Sequence, residues 1–544
     1  MDRRRTLLMI GIAAVSFTAL WFVLLAGRPL YDPDEGRYAE IPREMLVGGD
    51  WVIPRLNGLV YLEKPPLQYW ITALAYRSFG QSEATARLCT GLAGYLSLLI
   101  VFLLGLRLWG IDAGVKALLL TGASSLFVLL GHQLTLDMTL SFCLLACLAC
   151  FLMAQFARDT SRHWRLWMVG CWAAMAFGVL AKGLIGVLIP AASLCGYLIW
   201  QRDWLLLRRL NMRWGAPVFA AIAVPWFVLA ARANPQFLKF FFVREHFQRF
   251  LTPIEHRTQP WWFFAPVLAV GILPWLPQAL RCLVSALCDR APRGQFDATR
   301  LLWVWSVFVL VFFSFSDSKL IPYILPAVPA LALLCAGPRS GGSRATLLAG
   351  ALLTLLSSLG VLAYAAGRWS SAEGYPLLLL IRPVLLWTCA VLFAGALSCA
   401  AWVRKARLRA ALAALCVAWF LATCSILIAG NAAQPLYSAK DAAAVLRQAP
   451  ADAPIFSLLC YDQSLAFYLR RDLILVDYRD EFDLGLSLEP QRGIATLKEF
   501  AARWRPLRDG FAVMPPTTYH RLAAAGTPMR ELARFSGRVL VSRR

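Results

Sequence analysis

Charged residues are scarce in this sequence. Asp, Glu, Lys and Arg make up 16% of its 544 residues, whereas 59% are hydrophobic and the mean hydropathy is +0.60. Soluble domains contain about 25% charged residues, so this composition excludes an ordinary soluble protein. Apolar runs of roughly 18 residues or more recur along the chain, and each can cross a hydrocarbon core of about 30 Å. The sequence therefore predicts an α-helical polytopic membrane protein.

The cysteines offer little chemistry. Most of the fourteen lie inside apolar runs. Cys143, Cys147 and Cys150 recur at helical spacing, but no His or acidic residue adjoins them. We interpret them as small buried side chains and not as metal ligands. Only Cys460 lies within the last hundred residues, so that segment contains no pair of cysteines for an internal disulfide.

The sequence contains fewer acidic than basic residues. It has 31 Asp and Glu and 54 Lys and Arg, which gives a net charge of +23. In a membrane protein the first explanation is that cytoplasmic loops collect Lys and Arg. The second is an anionic partner such as a phosphate-bearing lipid. No basic domain or recognition motif for nucleic acid is visible, so we expect no nucleic-acid partner.

The apolar segments predict about thirteen transmembrane helices. They lie near 6–28, 86–106, 112–131, 135–157, 165–181, 183–200, 214–232, 261–281, 300–315, 319–336, 344–366, 379–402 and 409–430. The first follows MDRRR and is too long for the apolar part of a signal peptide, so we interpret it as an uncleaved helix that starts in the cytoplasm. With an odd number of crossings, the C-terminus lies on the opposite side.

The loops agree with this orientation. Each predicted inner loop is basic, for example QRDWLLLRRLNMRWG and VRKARLR, whereas the outer loops are mixed or acidic except for 233–260. Cytoplasmic loops are enriched in Lys and Arg, so the alternation supports a cytoplasmic N-terminus.

Two long regions are predicted to lie outside the membrane. We predict a transmembrane catalytic domain over 1–434, whose first outer loop covers 30–85, and a soluble outer domain over 435–544. The second region alternates short apolar runs such as IFSLL and LILVDY with helical ones such as QSLAFYLRR. This alternation predicts a small α/β domain.

The first outer loop predicts helices that lie at the membrane surface. Leu67, Trp70, Ile71 and Leu74 recur at i, i+3, i+4 and i+7 and form one apolar face. A short amphipathic helix at the interface explains this pattern. Residues 37–45 predict a second helix, which ends at the glycines that follow.

The same loop opens with an unusual concentration of acid. The stretch LYDPDEGRYAE places Asp34 and Glu35 close behind the first apolar run. A hydrated exit loop in which Asp34 caps the next helix is one explanation. Asp137 begins the fourth predicted helix among apolar neighbours, and a cap is again the alternative to a functional role. On the predicted topology Asp34 and Asp137 emerge on the same side, which favours a shared site.

Cations on the outer side need a reason, because the positive-inside rule disfavours them there. Phosphate is the natural partner, since Lys binds it as a point charge and Arg as a bidentate fork. The alternative for each is a surface residue whose charged end reaches water. The outer basic residues that we consider as phosphate ligands include Lys64, Lys182, Arg244, His246, Arg249 and Lys319, with Tyr323 close to the last in sequence.

Acids and cations thus converge at the outer membrane boundary. This pattern favours a site for a lipid whose head group carries phosphate and sugar. A transporter or lipid flippase is the alternative, but it predicts charges near the bilayer midplane. The predicted helix interiors are almost free of charge, so we favour an enzyme that acts on a lipid head group.

Several of these stretches resemble the polyprenyl-phosphate-dependent, GT-C type membrane glycosyltransferases, and among them the aminoarabinose transferases of Gram-negative bacteria. The matching pieces are DPDEGRYAE at 32–40, LEKPPLQYW at 62–70, GHQLTLDMTL at 131–140, LAKGLIGVLIP at 180–190, EHFQRF at 245–250 and SDSKLIPYILPAVPALALL at 316–334. The acid pair is shared across the superfamily, whereas EKPP and KG are typical of its bacterial branch. The resemblance extends over the whole chain.

The resemblance implies an enzyme at the periplasmic face of the bacterial inner membrane. Such an enzyme takes 4-amino-4-deoxy-L-arabinose from undecaprenyl phosphate and passes it, with inversion, to a lipid A phosphate. The added amine lowers the negative charge of the outer surface and confers resistance to polymyxin and similar cationic peptides. A related transferase that acts on a hydroxyl of a protein or glycan is the alternative. We expect a monomer.

The resemblance also implies the site. Catalytic roles fall to Asp34, Lys64 and Asp137. The residues expected to bind substrate around them are Glu35, Arg37, Tyr38, Tyr61, Glu63, Lys182, Arg249 and Tyr323. The only cofactor that we consider is a divalent metal. Its ligands would be Glu63 and His246, which are metal-ligand types on the outer side, and some related enzymes use metals.

The acceptor decides what the aspartates have to do. A hydroxyl acceptor needs a general base, for which Asp34 is the candidate. A phosphate acceptor is already an anion, so it needs positioning and charge screening instead. Asp34 and Asp137 would then hold the cationic amine of the donor or orient a cation, and Lys64 would screen the leaving polyprenyl phosphate.

Overall fold

The computed structural model describes residues 3–157, 163–248, 258–288, 292, 294–338, 343–369, 376–535 and 537–544. Most of the described chain is helical, and the largest sheet in it is a small one near the C-terminus. Both features confirm the predicted fold class.

Helices dominate the chain up to residue 429. They are α1 (Arg3–Val23), α2 (Asp34–Gly48), α3 (Leu67–Phe79), α4 (Glu83–Trp109), α5 (Ile111–Gly122), α6 (Ser125–Gly131), α7 (Leu136–Phe156), α8 (His163–Lys182), α9 (Ile185–Gln201), α10 (Met212–Ala233), α11 (Phe264–Gly271), α12 (Leu276–Cys288), α13 (Ala298–Ser314), α14 (Ala327–Ala336), α15 (Arg344–Trp369), α16 (Pro376–Arg404) and α17 (Leu408–Ala429). Short 3-10 helices cover Trp204–Arg209, Leu273–Trp275 and Ile321–Ile324, and a π-helix covers Lys239–Gln248. Two short strands, β1 (Arg55–Leu56) and β2 (Leu59–Val60), pair between α2 and α3.

Each predicted span corresponds to an apolar helix or helix pair, which confirms where the spans lie. Within the described ranges, seven helices are long and apolar enough to cross a membrane, or up to nine if each of two bent pairs is one span. Four further apolar helices have only 10–17 residues. The total of about thirteen crossings therefore stays a prediction.

Two predicted spans are bent. The segment 112–131 divides into α5 and α6, which meet at 71° where Ser124 adopts an extended backbone. The segment 261–281 divides into α11 and the stretch that starts at Leu273, bent by 86°. Pro274 lies in the first turn of that second part, where its missing amide hydrogen costs nothing. The expectation of one continuous helix at each place is wrong, because hydropathy does not report a bend.

Glycines shape the turn between α8 and α9. Gly183 has φ +98, a conformation that favours glycine, and it ends α8 at Lys182. A Cβ on Gly186 would lie 2.4 Å from the carbonyl carbon of Gly178. The two helices therefore cross in direct backbone contact, and Lys182 lies at the tip of a tightly packed hairpin.

The described chain forms two compact units. We call residues 1–89 with 430–544 the loop–sheet unit, and residues 90–429 the helical unit. The sequence predicted a different division at residue 434, between a transmembrane region and a soluble domain. That division stays a prediction.

The C-terminal part of the loop–sheet unit alternates strands and helices. Its elements are α18 (Gln434–Tyr437), α19 (Lys440–Leu446), β3 (Ile455–Leu458), α20 (Gln463–Leu469), β4 (Ile474–Val476), α21 (Asp483–Leu488), β5 (Gly493–Ile494), α22 (Leu497–Trp504), β6 (Phe511–Met514), α23 (Pro516–Ala524), β7 (Arg530–Phe535) and β8 (Arg538–Ser542), with 3-10 helices at Gly430–Ala433, Asp480–Phe482 and Pro490–Arg492. The predicted α/β domain is thus confirmed.

The sheet has six strands in the order β5-β4-β3-β6-β8-β7. β3 runs parallel to β4 and β6, and β4 runs parallel to β5, whereas β8 is antiparallel to β6 and β7. Parallel neighbours need crossover connections, which α20, α21 and α22 supply. Phe456, Phe500, Trp504 and Val539 are buried in the core between sheet and helices.

The first loop is joined to the C-terminal region of the same unit. A Cβ on Gly36 would lie 2.2 Å from the amide nitrogen of Ser464, so α2 and α20 meet through their backbones. β1 turns into β2 at Asn57 and Gly58, both with positive φ, as in the type I′ turns that favour this pair. Asn57 also exchanges hydrogen bonds of 2.6 and 2.8 Å with the backbone of Leu473.

Both predicted surface helices form within the loop. α2 ends where Gly49 adopts φ +72. α3 buries Tyr69 and Tyr76 against the protein, while Ile71 and Leu74 stay exposed. Leu67 of the predicted apolar face is buried and Trp70 is partly buried. Only half of that face is therefore left outside the protein, and a position at the membrane surface stays a prediction.

Candidate active site

Asp34 and Glu35 are consecutive but lie in opposite surroundings. Asp34 is the first residue of α2, its side chain is 42% exposed, and its Oδ1 lies 3.2 Å from a nitrogen of Arg37. Pro33 occupies the N-cap position, and no side chain caps the helix there. The helix-cap explanation for Asp34 is therefore wrong, and an accessible carboxylate stands at the start of α2.

Glu35 is fully buried. Its carboxylate accepts hydrogen bonds of 2.5 and 2.9 Å from Arg28, of 2.8 and 2.9 Å from Arg87, and of 3.0 Å from the Tyr31 amide. Burial alone would raise the pKa of Glu35, but the charges of Arg87 and Arg28 hold that pKa well below its usual range. Glu35 thus anchors the end of α1 to the start of α4, and a substrate contact for it stays a prediction.

Arg37 is held by a carboxylate that the sequence did not single out. Its Nε lies 2.5 Å from Oε2 of Glu481, which belongs to a short 3-10 helix of the C-terminal region. Gln463 donates to the other oxygen of Glu481 at 2.6 Å. Burial alone would lower the pKa of Arg37, but the Glu481 carboxylate raises it well above the usual value. Glu481 therefore fixes Arg37 beside Asp34.

Tyrosines and the EKPP stretch line another part of the loop. The rings of Tyr38 and Tyr69 are 6.2 Å apart. The Tyr61 hydroxyl donates to Glu63 at 3.0 Å, and Lys64 donates to the Glu63 carbonyl at 3.0 Å. Burial, followed by the Glu63 carboxylate, raises the pKa of Tyr61 well above its usual value. The Tyr61 hydroxyl thus stays protonated, while Lys64 is only partly buried.

In the helical unit, Asp137 and Lys182 form an ion pair. Asp137 lies in the first turn of α7 and Lys182 ends α8, with side chains 14% and 18% exposed. Thr135 is the N-cap of α7, so the helix-cap explanation for Asp137 is wrong. The Lys182 ammonium also lies 4.7 Å from the centre of the Tyr323 ring, a favourable cation–π contact. Lys182 therefore contacts two other predicted site residues, Asp137 and Tyr323.

The other outer cations lie in different surroundings. Lys319 is buried and donates to the carbonyl of Ser316. The guanidinium of Arg244 lies 5.5 Å from the ring centre of Phe240. Arg249 lies outside the described residues, so its predicted role in substrate binding stays a prediction.

The metal hypothesis gains no support from the described side chains. Within the described part of the chain, no group of three or more His, Cys, Asp or Glu side chains is placed to hold a metal ion. Glu63 is engaged with Tyr61, and the side chain of His246 is outside the described set. The pairing of Glu63 with His246 therefore stays a prediction.

Asp32 is a further residue that sequence reasoning left without a role. Its Oδ1 accepts from the Ser464 amide at 2.5 Å and its Oδ2 from the Ser464 hydroxyl at 2.7 Å. Burial, followed by the charge of Asp462, raises the pKa of Asp32 to about 7. Asp462 in turn lies 3.4 Å from Arg538. Asp32 therefore ties the loop to α20, whereas the side chain of Asp34 is left 42% exposed.

Comparisons with known proteins agree with this arrangement of a membrane region and a C-terminal domain. A family model described as dolichyl-phosphate-mannose-protein mannosyltransferase matches residues 7–241, and one described as the aminoarabinose transferase C-terminal domain matches residues 442–543. A relative from Pseudomonas aeruginosa strain LESB58, named undecaprenyl phosphate-alpha-4-amino-4-deoxy-L-arabinose arabinosyl transferase, is 34% identical over 540 residues, which cover 94% of this chain and 92% of the relative. The chain belongs to this arabinosyl transferase family.

Solved structures give the same result for the fold. ArnT from Cupriavidus metallidurans bound to undecaprenyl phosphate matches with a TM-score of 0.89 and 33% identity, over 100% of this chain and 99% of that one. Its apo form matches with a TM-score of 0.87 and 32% identity, over 99% and 98% of the two chains. The chain is therefore a multi-pass membrane glycosyltransferase with the GT-C fold, and the resemblance seen in the sequence is confirmed.

Proposed function

We propose that this arabinosyl transferase family member moves 4-amino-4-deoxy-L-arabinose from undecaprenyl phosphate to a phosphate of lipid A. The observation that carries the proposal is the likeness over the full chain to ArnT bound to undecaprenyl phosphate, at 33% identity and a TM-score of 0.89. The names of the curated relatives supply the sugar and the carrier. The product carries an added amine, which lowers the charge that cationic peptides such as polymyxin recognise.

The reaction is a displacement at the anomeric carbon of the sugar. The bond from that carbon to the oxygen of undecaprenyl phosphate breaks, and a bond to an oxygen of the lipid A phosphate forms with inversion. Undecaprenyl phosphate leaves with the electron pair of the broken bond. Because the attacking oxygen is already anionic, no proton has to be removed from the acceptor.

The protein then acts mainly by placing charged side chains beside the charged groups of the donor and the acceptor. We assign Asp34 to the cationic amine of the donor, because its side chain is 42% exposed at the start of α2 whereas the neighbouring Glu35 is fully buried. Asp137 orients Lys182, since the two form an ion pair and Lys182 also contacts the ring of Tyr323. Lys64 and Lys182 supply positive charge for phosphate groups, and Arg249 is an additional candidate.

The finer location follows from loop charge. We propose that the enzyme lies in the bacterial inner membrane with its N-terminus in the cytoplasm. Its active site and C-terminal domain then lie in the periplasm, because the basic loops alternate with mixed or acidic ones. A reporter fused after Arg544 that is active only in the cytoplasm should be silent, and an active reporter would contradict this topology.

Mass spectrometry of lipid A tests the function directly. Lipid A from a strain without an aminoarabinose transferase should gain the mass of one or more aminoarabinosyl groups when this chain is expressed and the donor is supplied. An Asp34→Asn variant expressed at the same level should leave lipid A unmodified. Sugar found on a protein or glycan hydroxyl instead would favour the hydroxyl-acceptor alternative, and lipid moved without a change of mass would favour a flippase.

A further inference from the structure

The helical unit contains a cavity that the transfer reaction does not use. Its volume is about 130 Å³, comparable to cavities that hold a small organic molecule. It lies where the starts of α5, α15 and α17 meet the break before α12. Its lining residues are Lys116, Leu120, Pro274, Trp275, Gln278, Thr346, Leu347, Leu408, Arg409 and Leu412.

The predicted topology places the cavity and the candidate active site of this unit near opposite faces of the membrane. Lys116 lies in the second turn of α5, whereas Asp137 follows the far end of the α5–α6 pair. The starts of α5, α15 and α17 all fall on the predicted cytoplasmic side, and the candidate active site falls on the opposite side. A ligand here would therefore be distinct from the donor and the acceptor.

Positive charge surrounds one end of the cavity. Thr346 and Leu408 lie in the first turns of α15 and α17, so the positive ends of two helix dipoles adjoin it. Lys116 adds a full charge to the lining. Arg409 lies at the mouth, 86% exposed and paired with Asp112 at 2.5 Å. The exposed cations Arg404, Lys405 and Arg407 precede α17 and outweigh that acid.

One buried donor in the lining has no acceptor. Trp275 is 2% exposed, and its indole Nε1 finds no hydrogen-bond partner among the described residues. A buried donor without a partner costs about 1–3 kcal/mol, so such groups usually face a ligand or water. Gln278 and Thr346, by contrast, are bonded to each other at 2.9 Å. Trp275 is thus the polar group that a ligand would satisfy.

We propose that this cavity binds the phosphate head group of a membrane lipid. Lys116 and the Trp275 Nε1–H contact the phosphate oxygens, while the leucines and Pro274 contact the start of the acyl chains. The apolar side chains, which are the larger part of the lining, favour an amphiphile over a free anion. This inference does not depend on the proposed transfer reaction.

Native mass spectrometry of the purified full-length protein in detergent tests the site with three probes. Dioctanoyl phosphatidylglycerol carries chains and phosphate, dioctanoylglycerol carries the same chains without phosphate, and inorganic phosphate carries no chains. The wild type should bind the phosphatidylglycerol saturably and more tightly than either other probe. Lys116→Gln should weaken one such binding event about tenfold, equivalent to about 1.4 kcal/mol. Trp275→Phe, which removes the donor and keeps most of the ring, should weaken the same event about threefold.

Controls separate this site from the surface and from the active site. Lys405→Gln removes an exposed cation that lies outside the lining, where solvent screens its charge, and should weaken the binding far less than Lys116→Gln does. Lys64→Ala should leave the Lys116-dependent binding event intact whether or not the proposed transfer reaction is correct. Thermal unfolding of each variant verifies that it is folded.

Three results would overturn the inference. Unchanged phosphatidylglycerol binding by folded Lys116→Gln would show that the cavity does not hold the head group. Equal binding of dioctanoylglycerol would make the cavity a purely apolar site. Equal binding of inorganic phosphate would assign it to a soluble anion instead of a lipid.

Discussion

Charged side chains serve different purposes in the two compact units. In the loop–sheet unit, buried charges are bound to one another, some of them over long sequence distances, as Glu35 is to Arg87 and Arg37 is to Glu481. In the helical unit, the ion pair of Asp137 and Lys182 joins the ends of neighbouring helices that lie in a mostly apolar sequence.

The difference shows how a charge should be interpreted in each unit. Outside the membrane, where water and partners are available, a buried ion pair most simply holds segments together. There, of the consecutive acids Asp34 and Glu35, the functional candidate is Asp34, which is the one left exposed. Within apolar helices a charge is costly, so its presence points to function. Asp137 and Lys182 are therefore candidates for a functional role although their side chains are mostly buried.

The largest effect is expected from Glu35→Gln. This change leaves the buried Arg28 and Arg87 without a countercharge, which costs roughly 3–5 kcal/mol of folding free energy. The matched control is Glu499→Gln, which breaks a surface pair with Arg503 worth at most about 1 kcal/mol. Thermal unfolding in detergent compares them. A stable but inactive Glu35→Gln protein would make Glu35 a substrate ligand and remove the contrast between Glu35 and Asp34.

Asp34→Asn and Asp137→Asn should each abolish most transfer and leave the protein folded. Neither carboxylate caps its helix. Asp137→Asn also leaves Lys182 without its ion partner, so we expect this variant to lose some stability but to stay folded. The control is Asp50→Asn, an exposed aspartate of the same first loop. Transfer to lipid A is measured with purified variants at equal amounts. Activity above about half of the wild type would exclude the residue from the site, because loss of a carboxylate that contacts the substrate should lower transfer much further.

Lys64→Ala should lower kcat tenfold or more. Negative charge builds on the leaving phosphate as the sugar departs, so a contact there strengthens toward the transition state. A differential contact of about 1.4 kcal/mol gives the tenfold change. If Lys182 contacts the head group equally in the bound donor and in the transition state, Lys182→Ala should raise KM and leave kcat unchanged. Donor titrations separate the two, with the exposed Lys498→Ala as control, and an unchanged kcat at saturating donor would remove Lys64 from the reaction centre.

Glu481→Gln should lower kcat about fivefold, equivalent to about 1 kcal/mol. Without the Glu481 charge, Arg37 is free to pair more closely with Asp34 and to neutralise it. Glu481 is thus a positioning residue that acts through Arg37. The control Asp483→Asn alters an exposed carboxylate two positions further on. A parallel loss of thermal stability and activity would indicate a merely structural role for Glu481.

Asp32→Asn should change the pH dependence of stability by the smallest amount, a few degrees in Tm. The pKa of Asp32 is raised to about 7 in the folded protein, whereas an unfolded aspartate ionises near pH ~4. Between these values the folded state binds more protons at Asp32, so the contribution of Asp32 to stability falls as pH rises. Asp32→Asn removes this contribution, while Asp452→Asn, at an exposed position, should not. Identical slopes for wild type and Asp32→Asn between pH 5 and 8 would contradict the buried acid.

Hydropathy predicted the helices well because membrane spans are long and locally encoded. It missed the bends at Ser124 and Ile272, since a break of one or two residues scarcely alters a window average. The Asn57–Gly58 turn could have been predicted from the sequence, because this residue pair has a known conformational preference. The Arg37–Glu481 pair could not have been predicted, because no local pattern connects residues so far apart in sequence.

The sequence by itself determined the class of protein, the positions of its helices, the small C-terminal sheet and the family. These depend on composition, periodicity and motifs, which are properties of neighbouring residues. Only the tertiary structure decided that Glu35 is buried between two arginines while Asp34 is accessible, and that Lys182 meets Asp137 and Tyr323. Burial and pairing depend on which distant segments pack together, and the charge of a residue alone does not reveal them.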